Sequence, residues 1–176
     1  MRRALAPGSL APALLALTLV VTACATANRI EDGAFHSSKG YSVSLPGGEW
    51  QVASGTDADL ELRRAAPAGG MLADVTCGGR VADRSAPLLV RQLTFGLKHR
   101  TDVRTDEVVV KGRRGARSTL RGTLDGKEVA VDAVSLKEDG CVYDFVYVAP
   151  VDDFDDGRLA FQIFVESLTL DSERSR

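Results

Sequence analysis

Three observations predict an α+β domain, a largely antiparallel β-sheet with helices packed on it. Period-two apolar alternation recurs through most of residues 34–171, glycine-containing turns separate those runs, and helical spacing is confined to one central and one closing segment. Strands that meander through hairpins and are interrupted and closed by helices bury their apolar faces by stacking sheet against helix.

Residues 1–23 stand apart from that domain. Arg2 and Arg3 precede an apolar run, Leu10 to Val21, which ends in Val21-Thr22-Ala23-Cys24. A basic start, a short apolar stretch and small residues before a cut make a secretory signal. With cysteine first after the cut, the segment resembles a bacterial lipoprotein signal: an aliphatic residue, two small residues, then Cys. That resemblance implies a diacylglycerol on the Cys24 sulfur and a further acyl chain, such as palmitate, on its amine. Two or more chains hold a protein at a membrane where one does not. A spanning helix needs about 20 apolar residues, and this run is shorter and soon meets Asn28, Arg29, Glu31 and Asp32. Ala25, rather than aspartate, follows the cysteine; by the same resemblance a Gram-negative host sends the protein to the outer membrane, facing the periplasm.

Cleavage before Cys24 removes 23 of 176 residues and leaves 153, enough for one compact domain. The expected organisation is a tether over 24–33, a single domain over 34–171 and a disordered tail over 172–176. Phe35 to Leu45 reads as two extended pieces around Ser37-Ser38-Lys39-Gly40, the second alternating strictly in Tyr41-Ser42-Val43-Ser44-Leu45. Pro46-Gly47-Gly48 breaks it, and Glu49 to Val52 starts another short strand. Asp59 to Arg64 and Met71 to Gly78 are further strands, separated by Pro67-Ala68-Gly69-Gly70.

The central helix is expected to start at Ser85, with Pro87 in its first turn. Its apolar face is Ala86, Leu89, Val90, Leu93 and Leu97, and Lys98, His99 and Arg100 suit its C-terminal end. From Arg104 strands return, through Val108-Val109-Val110 and then Arg117 to Leu124. Asp125-Gly126 signals a hairpin into Val129 to Leu136, and Glu138-Asp139-Gly140 a second one into Cys141 to Val148. Pro150 ends that strand. The closing helix, about Phe154 to Leu168, carries Phe161, Phe164, Val165 and Leu168 on one face.

The order of these signals resembles the PsbP-like superfamily. Phe35, then Gly40-Tyr41-Ser42-Val43-Ser44-Leu45-Pro46, then Trp50 is similar to that group's F…Y-x-x-x-x-P-x-x-W opening. The following helix, the Asp-Gly hairpin, the Tyr143–Tyr147 strand and the closing helix after Pro150 are similar as well, so the likeness spans about residues 35–170. The group includes the extrinsic photosystem II subunit, the Ran-binding Mog proteins and many small bacterial lipoproteins. It implies an α/β/α sandwich and a non-enzymatic binding or assembly role. It transfers no ligand residue, because no functional motif of the group is matched.

The mature chain carries 20 basic against 24 acidic side chains, which gives no argument for nucleic-acid binding. Charge is uneven, however. Eight of the basic residues fall between Lys98 and Arg121, and eleven acidic ones lie from Asp132 onward against four basic. Lys111, Arg113, Arg114 and Arg117, beside Gly112 and Gly115, are the candidate surface for an electrostatic partner. Cys77 and Cys141 are the two cysteines left after Cys24, in an exported chain where disulfides persist; a bridge there would stabilise by roughly 4 kcal/mol.

Catalytic and metal motifs are missing from the sequence: no G-x-S-x-G, no H-E-x-x-H, no glycine-rich phosphate loop. His36 and His99 are far apart, and no metal or cofactor is expected. Asp152, Asp153, Asp155 and Asp156 place Phe154 and Ile163 where an EF-hand would need ligands, so they read as helix-start carboxylates. Trp50, Tyr143, Phe145 and Tyr147 read as packing. The expected function is that of a non-catalytic, lipid-anchored envelope accessory protein with a protein partner. The alternatives are an envelope hydrolase with an unrecognised acid pair and a carrier of a small apolar ligand.

Overall fold

The computed structural model describes residues 27–55 and 57–174; Cys24, the signal segment and the last two residues lie outside them. In chain order the strands are β1 (Arg29–Glu31), β2 (Ala34–His36), β3 (Tyr41–Ser44), β4 (Gln51–Val52), β5 (Leu60–Arg64), β6 (Gly69–Cys77), β7 (Lys98–Val110), β8 (Arg113–Leu124), β9 (Lys127–Glu138), β10 (Cys141–Pro150) and β11 (Thr169–Leu170). The helices are α1 (Gly79–Ala82), α2 (Ala86–Gln92), α3 (Phe154–Glu166) and α4 (Asp171–Arg174). A seven-stranded sheet has the spatial order β4-β5-β6-β10-β9-β8-β7, and a four-stranded sheet the order β1-β2-β3-β11. Every strand pairing among the described residues is antiparallel.

Two-residue turns set the register of the large sheet. Lys111-Gly112, Asp125-Gly126 and Asp139-Gly140 each place both residues at positive φ, between 48° and 85°. Such turns match the right-handed twist of the strands they join. Glycine takes that backbone without a Cβ penalty, and Asp is among the residues that tolerate it.

The two faces of the large sheet are packed differently. α3 lies across one face with the small sheet beside it, burying Tyr41, Tyr143, Phe145, Tyr147, Phe161 and Phe164. Gly157 lets the helix come close, because a Cβ there would sit 2.2 Å from the Tyr147 hydroxyl. α2 covers part of the opposite face, packing Val90 over Ala116, Leu120, Val131 and Ala133.

Four expectations are corrected. The central helix stops at Gln92, not near Leu97. Thr94 bonds back to the Arg91 carbonyl, Leu97 turns into the core against Gly122, and Lys98 to Arg100 open β7, with His99 at φ 48°. Docking of Leu97 outweighs local helix spacing. The span 24–33 is not all tether, since β1 pairs with β2 through the Asp32-Gly33 turn. The tail is ordered through Arg174: α4 is held by Asp171 N–H on the Gly40 carbonyl at 3.0 Å and Leu170 N–H on Glu173 at 3.1 Å. Ser85 sits at the N-cap of α2 but makes no side-chain capping bond.

Candidate functional site

Cys77 and Cys141 face each other across β6 and β10 and form a disulfide, with sulfurs 2.02 Å apart. Cys24 lies outside the described residues. The four cations of the 111–117 stretch do not form one patch, which corrects the expectation of an exposed basic loop. β8 starts at Arg113, and strand alternation turns Arg113 and Arg117 to the α3 face and Arg114 to the α2 face. Arg113 is 2 % exposed and pairs with Glu173. Lys111 remains in the turn, its Nζ donating to the Leu168 carbonyl at 3.4 Å. Gly115 is a close-approach glycine inside the strand, where a Cβ would meet the Ser135 carbonyl oxygen at 2.1 Å.

His36 and His99 occupy separate elements, β2 and β7. Among the acidic residues at the start of α3, Asp153 accepts from Ala68 N–H at 3.0 Å and Asp155 pairs with Arg158. Trp50 meets Tyr147 edge-on at 6.3 Å, and the Tyr147 hydroxyl donates to the Phe154 carbonyl at 3.0 Å.

Two concave surfaces flank the end of β7. On the α3 face Val108, Val110, Val134, Phe161 and Val165 wall a groove of about 160 Å³, with Arg117, Gln162 and Glu166 completing its lining. Arg117 donates through Nε to Asp132 Oδ1 at 2.7 Å and through Nη2 to Oδ2. Asp132 is fully buried, and its hydrogen bonds raise the Arg117 pKa against the opposing effect of burial. The pair is thus committed to itself, and the groove offers mainly aliphatic surface. On the α2 face a cleft of about 570 Å³ is bounded by Ser85, Ala86 and Pro87 and by Glu107, Arg114 and Lys137. Val108 and Val109 border both hollows, and Val109 is 67 % exposed.

A polar row crosses the α2 face farther in. Asp74, Asp144 and Ser135 are direct neighbours on β6, β10 and β9. Ser135 Oγ donates to Asp144 at 2.5 Å, and burial lifts the Asp144 carboxyl to about 6, a rise that Asp74 reinforces. Lys39 bridges Asp74 and Asp59, and Asp59 also accepts from the Tyr41 hydroxyl and Val75 N–H. Burial, then the Asp59 charge, raises the Tyr41 pKa. This second network ties β3 to β6 through Asp59, the residue before β5.

No protein-family profile and no curated sequence matches the chain. Solved structures do. Cyanobacterial PsbP (CyanoP) from Synechocystis sp. PCC 6803 superposes with TM-score 0.55 at 12 % identity, over 78 % of this chain and 91 % of that one. The fold is PsbP-like. LpqN of Mycobacterium tuberculosis, described as involved in cell envelope biogenesis, shares it with TM-score 0.52 at 12 % identity, over 74 % of this chain and 82 % of LpqN. In the PsbP-like frame the β7 hollows went unread from sequence, because Val108, Val110, Phe161 and Val165 come from elements some 50 residues apart. The visible signal was the Val108-Val109-Val110 triplet next to a hairpin turn.

Proposed function

We propose that the protein is a lipid-anchored envelope accessory module that binds a protein partner and does no chemistry on it. The observation that carries this reading is the exposed end of β7, with a concave surface on each face of the sheet. Such a surface suits a chain that grips an edge. The Val21-Thr22-Ala23-Cys24 segment supports the anchor, and the envelope role ascribed to LpqN is consistent with the location. The competing hydrolase reading rests on Asp74 beside Asp144. In the accessory reading Asp144→Asn leaves partner binding intact.

The test is a photo-crosslinking residue at position 109 in cells, in wild type and Cys24→Ala. One reproducible envelope adduct is expected, lost when Cys24→Ala moves the protein to the soluble fraction. No adduct above that of an exposed control site, such as Asp125, overturns the partner reading. A Cys24→Ala protein that is still processed and membrane-bound overturns the anchor.

A further inference from the structure

The two edges of the large sheet are guarded unequally. β4 is only two residues long, whereas β7 runs for 13. The first half of β7 is irregular, with register shifts between Lys98 and Thr101 and between Thr101 and Arg104, and with His99 and Asp102 at positive φ. Bulges of this kind twist an edge away from would-be partners. From Arg104 to Val110 the pairing with β8 is regular, and it ends in three valines.

The Lys111-Gly112 turn sets which backbone groups are free. A two-residue hairpin closes on a hydrogen-bonded pair, here Val110 with Arg113, and the pairs alternate from there. Val108 and Asp106 therefore bond to β8, while Thr105, Glu107 and Val109 turn N–H and C=O outward. Among the described residues no strand pairs with that edge.

We propose that residues 104–110 of β7 accept an extended segment of a protein partner as an added strand. The segment places aliphatic side chains on the α3 face and acidic ones on the α2 face. This rests on the partner-binding reading above and names how the partner is held. Residues opposite Val108 and Val110 share their face and reach the aliphatic groove. Residues opposite Glu107 and Val109 reach the cleft, where Arg114 and Lys137 outnumber the Glu107 carboxylate. A second copy is a poorer occupant. A two-fold axis that pairs two β7 edges antiparallel sets both cationic clefts on one face, like charge beside like.

The probe is an acetylated, amidated heptapeptide of alternating Glu and Val, titrated into the folded periplasmic domain and followed by amide shifts. Shifts at Thr105, Glu107 and Val109 are expected by about 1 mM peptide. Binding should weaken at least about tenfold when Lys replaces Glu, when alternate peptide nitrogens on the bonding edge are methylated, or in Val109→Pro. Proline there removes an outward N–H and no bond to β8. The methylated peptide tests the same bond on unaltered protein, so the inference stands or falls even if Val109→Pro does not fold. Shifts confined elsewhere, equal binding of the Lys peptide, or no β7 shifts overturn the inference, as does a dimer in sedimentation that Val109→Pro dissolves. A crosslinked envelope partner whose binding ignores Val109→Pro overturns the added strand and leaves the accessory reading standing; absence of any crosslink above the control in the chain without Val109→Pro overturns both.

Discussion

The two faces of the seven-stranded sheet meet different covers. On one, the 13-residue α3 and the small sheet close over large aromatic side chains; on the other, the seven-residue α2 sits on Val, Ala and Leu. The longer helix and the small sheet pack over rings, whereas the shorter helix packs over aliphatic side chains. The uncovered remainder of the α2 face is where the polar row and the wide cleft lie. Stability is thus concentrated on the α3 face, and open surface on the α2 face.

Truncation on each face measures that contrast most directly. Phe161→Ala should cost about 4 kcal/mol of unfolding free energy, and Val131→Ala about 2 kcal/mol. Equal losses in urea titrations would break the comparison. Arg117→Met should cost about 3 kcal/mol, because it strands the buried Asp132 carboxylate on the aromatic side. Arg117→Met with Asp132→Leu should recover most of that loss, and a double variant no better than the single would show that the charge pair is not the cause.

The smallest effect belongs to the α2 face and depends on pH. Asp144 has a folded pKa of about 6 against an ordinary 3.8. The folded state therefore keeps a proton that the unfolded chain has released between those values, and stability falls as pH rises through them. Asp74 and Ser135 face Asp144, and Lys39 holds Asp74. Asp144→Asn should flatten the fall, worth about 1 kcal/mol after screening at this half-buried site. Urea midpoints at about pH 4 and about pH 7 measure it. An unchanged slope would remove Asp144 as the source.

Much of the fold was legible along the chain. The Asp125-Gly126 and Asp139-Gly140 turns mark hairpins by residue type alone, and the alternation of Cys141 to Val148 marks β10. The spacing of Phe161, Phe164, Val165 and Leu168 marks the buried face of the closing helix. The Cys77–Cys141 bridge joins the two cysteines left once Cys24 is set aside. Each of these signals is local, and local backbone preference is enough to produce it.

Other features needed the third dimension. Lys111 to Arg117 looks like a basic loop, yet strand pairing buries Arg113 under Glu173, aims Arg117 at Asp132 and sets Arg114 on the opposite face beside Lys137. Lys98 to Arg100 look like the end of a helix until Leu97 docks in the core and draws them into β7. The groove joins β7, β8 and β9 to α3 across about 50 residues of chain. By itself the sequence determined the turns and the strand and helix periods, because those depend on neighbours a few residues apart. Only the tertiary structure decided which charges are buried and which sheet edge stays open, because burial and strand order depend on residues the chain brings together from a distance.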